Sequence, residues 1–117
     1  MPRCEAGAIV RVRFPYTDRD TRQHRPALVV SARSVGPDAA LLWVVMITSA
    51  ANRRWDDDVP IEGDHAALGL PVPSLIRTAK IATIDSAAAE VIGVLDGERM
   101  ATARRALTEH LGLADRD

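Results

Sequence analysis

The 117-residue sequence predicts a mainly β fold, a small β-barrel with one helix at its C-terminal end. Three observations predict it. Apolar residues recur in short runs, some alternating and some continuous, of strand length and not helix length. Glycine, proline and aspartate punctuate those runs at turn-forming positions. One stretch, after Asp96, has helical spacing with both a start and a stop signal. The length and the 47% apolar content suit a single domain over residues 1–117.

The elements follow in order. Ala8 to Phe14 alternates, with Val10, Val12 and Phe14 on one face and Arg11 and Arg13 on the other. That predicts a half-buried strand with a cationic side. Pro15 ends it. Tyr16 to His24 is polar and reads as a loop. Arg25 to Ala32 is the second strand, its backbone fixed near the start by Pro26. Gly36-Pro37-Asp38 makes a turn. Ala39 to Ser49 is apolar on both faces, the pattern of a central strand. Asn52 to Asp58 is polar around Trp55. Asp57 to Ile61 predicts a short edge strand, because Pro60 is tolerated there. Glu62 to Gly69 reads as a loop. Leu75 to Thr78 and Ile81 to Ile84 predict two short strands, and Glu90 to Val94 the last. Asp96 caps a helix that Gly112 closes, with Met100, Ala103, Leu107 and Leu111 as its buried stripe.

Several function classes drop out. Aromatic residues make up 3% of the chain, too few for a base-stacking platform. Cys4 is the only cysteine, so neither a disulfide framework nor a cysteine zinc site forms within one chain. The cytoplasm is the expected compartment. No apolar run is long enough for a membrane span, and the N-terminus lacks the core of a signal peptide. His24, His65 and His110 lie in separate segments without metal-ligand spacing. Asp56-Asp57-Asp58 reads as a solvated acidic turn. No nucleophile elbow, phosphate-binding glycine loop or dinucleotide fingerprint is present. No metal and no cofactor are expected.

Net charge is −1, but its distribution is uneven. Residues 1–33 carry seven arginines against three carboxylates. A locally basic face on a near-neutral protein can hold a short phosphate chain. The chemistry left to the chain is therefore that of arginine and hydroxyl groups on a phosphodiester. Arg25 opens the second strand, and Thr48 and Ser49 close the third. If these strands are antiparallel neighbours, Arg25 and Thr48 meet at one rim of the barrel. A guanidinium offers forked donors to phosphate oxygens, and the threonine hydroxyl adds another. Such a pair stabilises the charge that builds when an RNA 2′-hydroxyl attacks its own phosphate. The competing uses are a surface ion pair of Arg25 with Asp18 or Asp20, and a Thr48 hydroxyl bonded to backbone.

The ordered set of segments resembles the MazF/PemK-type toxins of type II toxin–antitoxin systems, over roughly residues 6–111. The likeness is carried by Gly7 with a strand ending Phe14-Pro15, then His24-Arg25-Pro26-Ala27-Leu28-Val29-Val30, then a long strand ending Ile47-Thr48-Ser49. Gly69-Leu70-Pro71-Val72-Pro73-Ser74-Leu75-Ile76-Arg77 and Lys80-Ile81-Ala82-Thr83-Ile84 complete it before the helix. The resemblance implies an SH3-like barrel, a homodimer, and metal-independent endoribonuclease action on single-stranded RNA, mRNA above all, which inhibits translation and growth. It implies a cognate antitoxin partner and contact with operator DNA only through the antitoxin complex. Arg25 and Thr48 match the family's catalytic pair, and Arg77 matches an arginine that some members use as general acid. Those members carry an aspartate two residues later as general base, where this chain has Ala79. Arg11, Arg13, His24, Ser49 and Arg53 are the candidate substrate contacts. A second reading is a CcdB-like gyrase poison, which shares the barrel and acts by protein binding without catalysis.

Overall fold

Alternation in β1 (Ala8–Pro15) sends Ala8, Val10 and Val12 to one side and Ile9 to the other, and all four are buried. A strand covered on both faces needs two apolar layers, and the rest of the chain supplies them. The computed structural model describes residues 4–15 and 22–113, and the side chains of residues 13–15 and 22–23 are outside that description. The other elements are β2 (Arg22–Val29), β3 (Leu41–Ser49), β4 (Asp58–Ile61), β5 (Ser74–Asp85), β6 (Ala89–Val94) and α1 (Gly97–His110). They form one six-stranded sheet in the order β4-β5-β3-β2-β1-β6, antiparallel throughout.

One apolar layer joins Ile9, Leu28, Val45, Ile47, Ile61 and Ile76 to Met100 and Ala103 of the helix. The other joins Val10, Ala27, Val29, Val44 and Met46 across the opposite face. β3 lies inside the sheet, as its two-sided apolar pattern requires, although Trp43 stands half exposed. β4 is the edge strand that Pro60 predicts.

Four expectations need correction. β2 begins at Arg22, three residues before the expected start, because Arg22 to His24 pair with Pro15 to Arg13 despite their polarity. The two short strands expected between Leu75 and Ile84 are one twelve-residue strand. Its register against β3 jumps, with Val45 opposite Ile81 but Met46 opposite Arg77. Thr78, Ala79 and Lys80 are thus accommodated as a bulge, which bends the strand without ending it. Asp58 does not belong to a solvated turn, being buried against Arg77. Leu111 is 65% exposed, and the buried residues of the helix are Met100, Ala103 and Ala106.

The helix ends are held as the sequence predicts. Asp96 accepts the Arg99 backbone N–H at 3.1 Å. At the other end Gly112, at φ 70°, lets its own N–H reach the Glu109 carbonyl and the Leu113 N–H reach the Thr108 carbonyl. The Arg99 side chain pins the helix start to β4 and the segment after it, with donors to Asp64, Asp96 and the Pro60 carbonyl at 2.8–3.1 Å. The Arg99 side chain holds the Asp64 carboxyl below its usual range, and the Arg99 backbone N–H does the same for Asp96. Among the described residues no helix is long and apolar enough to cross a membrane.

Candidate active site

The β2–β3 register sets the site. Ala27 lies opposite Met46 and Leu28 opposite Val45. Continuing that antiparallel register two residues further brings Arg25 opposite Thr48. Alternation then puts both side chains on the face shared by Ala27 and Met46. The two residues line one cavity of about 300 Å³, together with Pro26, Ser49, Asn52 and Val72. Arg25 is exposed there, and Thr48 is partly covered.

Hydrogen bonds orient the hydroxyl side of the cavity. Asn52 Nδ2 donates to Thr48 Oγ1 at 2.6 Å. With one lone pair of that oxygen occupied, the Thr48 proton is available to a second acceptor. Ser49 Oγ accepts from the Ala51 N–H at 3.1 Å, and the Asn52 N–H reaches the Ser49 carbonyl at 3.0 Å. The segment after β3 is therefore folded back over the strand end. Asn52 is the participant that sequence reasoning missed. Its signal was present, since an amide four residues after a strand-end hydroxyl can close such a turn.

His24, one residue from Arg25, projects from the other face of β2. It lines a neighbouring cleft of about 450 Å³ with Arg11, Leu70 and Ile92, and Pro26 and Pro71 border both hollows. Arg11 sits in register with Glu90 of β6 and forms an ion pair with it, one oxygen lying at 3.0 Å. The cleft wall is set by a tight backbone approach. A methyl group on Gly93 would fall 2.2 Å from the Leu68 carbonyl oxygen, and one on Gly69 would fall 2.2 Å from that of Ile92.

The remaining candidates are dispersed. The side chain of Arg13 is outside the described residues, as are Asp18 and Asp20, the expected surface partners of Arg25. Arg53 is exposed on the β3–β4 loop, and its carbonyl accepts from Arg77 at 2.6 Å. Arg77 is buried and does not line the cavity shared by Arg25 and Thr48. Its guanidinium bonds Asp58 Oδ2 at 3.1 Å and lies 3.9 Å from the centre of the Trp55 ring. A larger hollow of about 520 Å³ runs along the outer side of α1 past Met100, Arg104 and Glu109, remote from these groups in the chain.

A bent antiparallel sheet with one C-terminal helix and an arginine–hydroxyl cavity at its rim defines a small β protein of MazF-like fold. The MazE–MazF complex from Deinococcus radiodurans matches with TM-score 0.75 at 22% identity, over 94% of this chain and 96% of that one. The Mycobacterium tuberculosis toxin MazF-mt6 matches with TM-score 0.70 at 23% identity, over 92% and 99%. An endoribonuclease in complex with its cognate antitoxin from a mycobacterial species matches with TM-score 0.72 at 20% identity, over 99% and 100%. No curated protein sequence matches the chain. The family model for the PemK-like, MazF-like toxin of type II toxin–antitoxin systems matches residues 5–111, and the chain belongs to that family.

Proposed function

We propose that this protein is a toxin that cleaves single-stranded RNA, mRNA above all, and so stops translation and growth. The observation that carries the reading is the convergence of Arg25 and Thr48 on one open cavity in a chain of this family. An RNA 2′-oxygen attacks the adjacent phosphorus, and the bond from phosphorus to the 5′-oxygen breaks. The products are a 2′,3′-cyclic phosphate and a 5′-hydroxyl. Negative charge grows on the non-bridging oxygens as the phosphorus becomes five-coordinate. The Arg25 guanidinium and the Thr48 hydroxyl donate to those oxygens, the latter oriented by Asn52. On this reading no metal ion is required. The proton lost by the 2′-hydroxyl and the one gained by the 5′-oxygen pass through water in the exposed cavity. Arg77 is left out of the reacting groups because it is buried and does not line their cavity.

Flanking nucleotides lie along the neighbouring cleft, against Arg11 and His24, with Arg13, Ser49 and Arg53 as further contacts. The cognate antitoxin covers this surface, and operator DNA is met only through that complex. Relatives crystallised with MazE or a cognate antitoxin support the partner. A second copy of the chain covers Trp43 and Ile81, which are 49% and 54% exposed on adjacent strands and would otherwise leave an apolar face in the cytoplasm.

The test is cleavage of a mixed single-stranded RNA in EDTA by the wild type, Arg25→Ala and Thr48→Val. The wild type cuts, and each folded variant loses on the order of 10²- to 10³-fold in rate. Equal cutting by all three removes the site. A wild type that leaves RNA intact and arrests gyrase moves the protein to the non-catalytic reading.

A further inference from the structure

We propose that Arg77 is a positioning residue: its buried guanidinium fixes the β3–β4 loop so that Asn52 holds the Thr48 hydroxyl at the cavity. The inference rests on the RNA-cleavage reading of that cavity. The loop between β3 and β4 runs over residues 50–57, and most of it is exposed and polar. Such a segment has little apolar surface of its own to hold it in one path. Here three groups of the loop region meet on one side chain.

Arg77 is the last residue of β5 paired with β4 before the bulge, directly opposite Asp58. From there it donates to Asp58 Oδ2 at 3.1 Å and to the Arg53 carbonyl at 2.6 Å, and it carries the Trp55 ring over its face at 3.9 Å. The same Asp58 oxygen accepts the Trp55 backbone N–H at 2.8 Å. Arg53 directly follows Asn52, so the grip lies one peptide from the amide that orients Thr48. Thr78, the next residue of β5, donates to the Asp57 carbonyl at 2.9 Å and closes the far end of the loop. Asp58 is 0% exposed at its side chain and Arg77 10%, so water competes little for these bonds. The route from Arg77 to the phosphate thus passes through the loop backbone and Asn52. A proton donor would instead need to reach the 5′-oxygen from inside the cavity, which Arg77 does not line.

Two readouts separate positioning from proton donation. The first uses one RNA that the wild type cuts at a mapped bond, made with oxygen or with sulfur at the bridging 5′ position. A thiolate leaves without protonation. Loss of a proton donor is therefore repaired by sulfur, whereas loss of positioning is not. Arg77→Lys and Arg77→Met are expected to lose about 100-fold in kcat on both substrates, with KM changed by less than about threefold. Arg77→Met added to Thr48→Val is expected to cost no more than about threefold further, since both act through one hydroxyl. Recovery by about tenfold or more on the sulfur substrate overturns the proposal.

The second readout is amide hydrogen exchange at Asn52 and Trp55, measured also in Trp55→Ala, which removes a partly exposed ring from the same cluster. Faster exchange by about tenfold or more in Arg77→Lys, with the β3 amides still protected, supports the clamp. Unchanged exchange at Asn52 overturns it. A wild type that cuts no RNA sinks the cleavage reading, and exchange then still decides whether Arg77 holds the loop.

Discussion

Replacing Asp58 by asparagine tests the buried ion pair of Asp58 with Arg77. The substitution keeps the side chain's shape and removes its charge from a position that solvent does not reach. Arg77, 10% exposed, then has no counter-charge, only neutral acceptors and the Trp55 ring as partners. Removing one member of a buried pair costs about 3–5 kcal/mol, mostly through the unpaired charge that remains. Two features place this case at the lower end. An asparagine oxygen still accepts from Arg77 and from the Trp55 N–H, and the guanidinium retains its contact with the ring. The expected loss is about 3 kcal/mol. Combined with Arg77→Met, it should be smaller than the two single losses added, by roughly 2 kcal/mol, because no buried charge is then left over. Urea unfolding measures each value, and at a slope of about 1.5 kcal/mol per molar the midpoint of Asp58→Asn falls by about 2 M. Strict additivity, or a loss for Asp58→Asn under about 0.5 kcal/mol, would refute the argument that the pair is closed and desolvated.

Two further outcomes follow from the contacts described. Gly93→Ala places a methyl group 2.2 Å from the Leu68 carbonyl oxygen, a backbone atom that cannot swing aside. It should cost about 2–3 kcal/mol in thermal unfolding and widen the Arg11–His24 cleft, while an unchanged melting temperature would contradict the tight approach. The Arg99 backbone N–H and side chain keep the folded Asp96 carboxyl below its ordinary value of 3.8. Its stabilising contribution is therefore complete above about pH 4 and declines as pH falls through the depressed folded value. Asp96→Ala should cost about 1 kcal/mol at pH 7, discounted toward the lower end by the exposure of the carboxylate, and the gap to wild type should narrow by pH 2. A gap independent of pH from 7 to 2 would mean that the cap does not depend on its charge.

Local rules carried most of the fold because its boundaries are set by local chemistry. Pro60 marks an edge strand, Asp96 and Gly112 bound the helix, and the two-sided apolar run before Ser49 lies inside the sheet. The misreadings share one cause, which is long-range pairing. Arg22 to His24 look like loop until β1 offers them a ladder, and Ala79-Lys80 look like a break until β3 absorbs them as a bulge. Leu111 fits the helical period, but it lies past the last residue of α1 and its side chain stays exposed.

The same distinction separates the parts of the site. The meeting of Arg25 and Thr48 at one cavity was legible because the β2–β3 register, followed two residues beyond its last pair, places them opposite each other. Arg77 carries the identical chemical potential in the sequence, a guanidinium near the end of an apolar run. What decides its use is Asp58, nineteen residues away, which alternation alone makes look solvated. Once β4 and β5 pair in register, the carboxylate and the guanidinium face each other inside the protein, and neither is available to a substrate without breaking the other. An arginine in this fold therefore cannot be assigned to chemistry from its residue type and place in a motif. The assignment depends on whether a cross-strand carboxylate claims it first, and in this chain one does so for Arg77 at the rear of the loop that shapes the cavity.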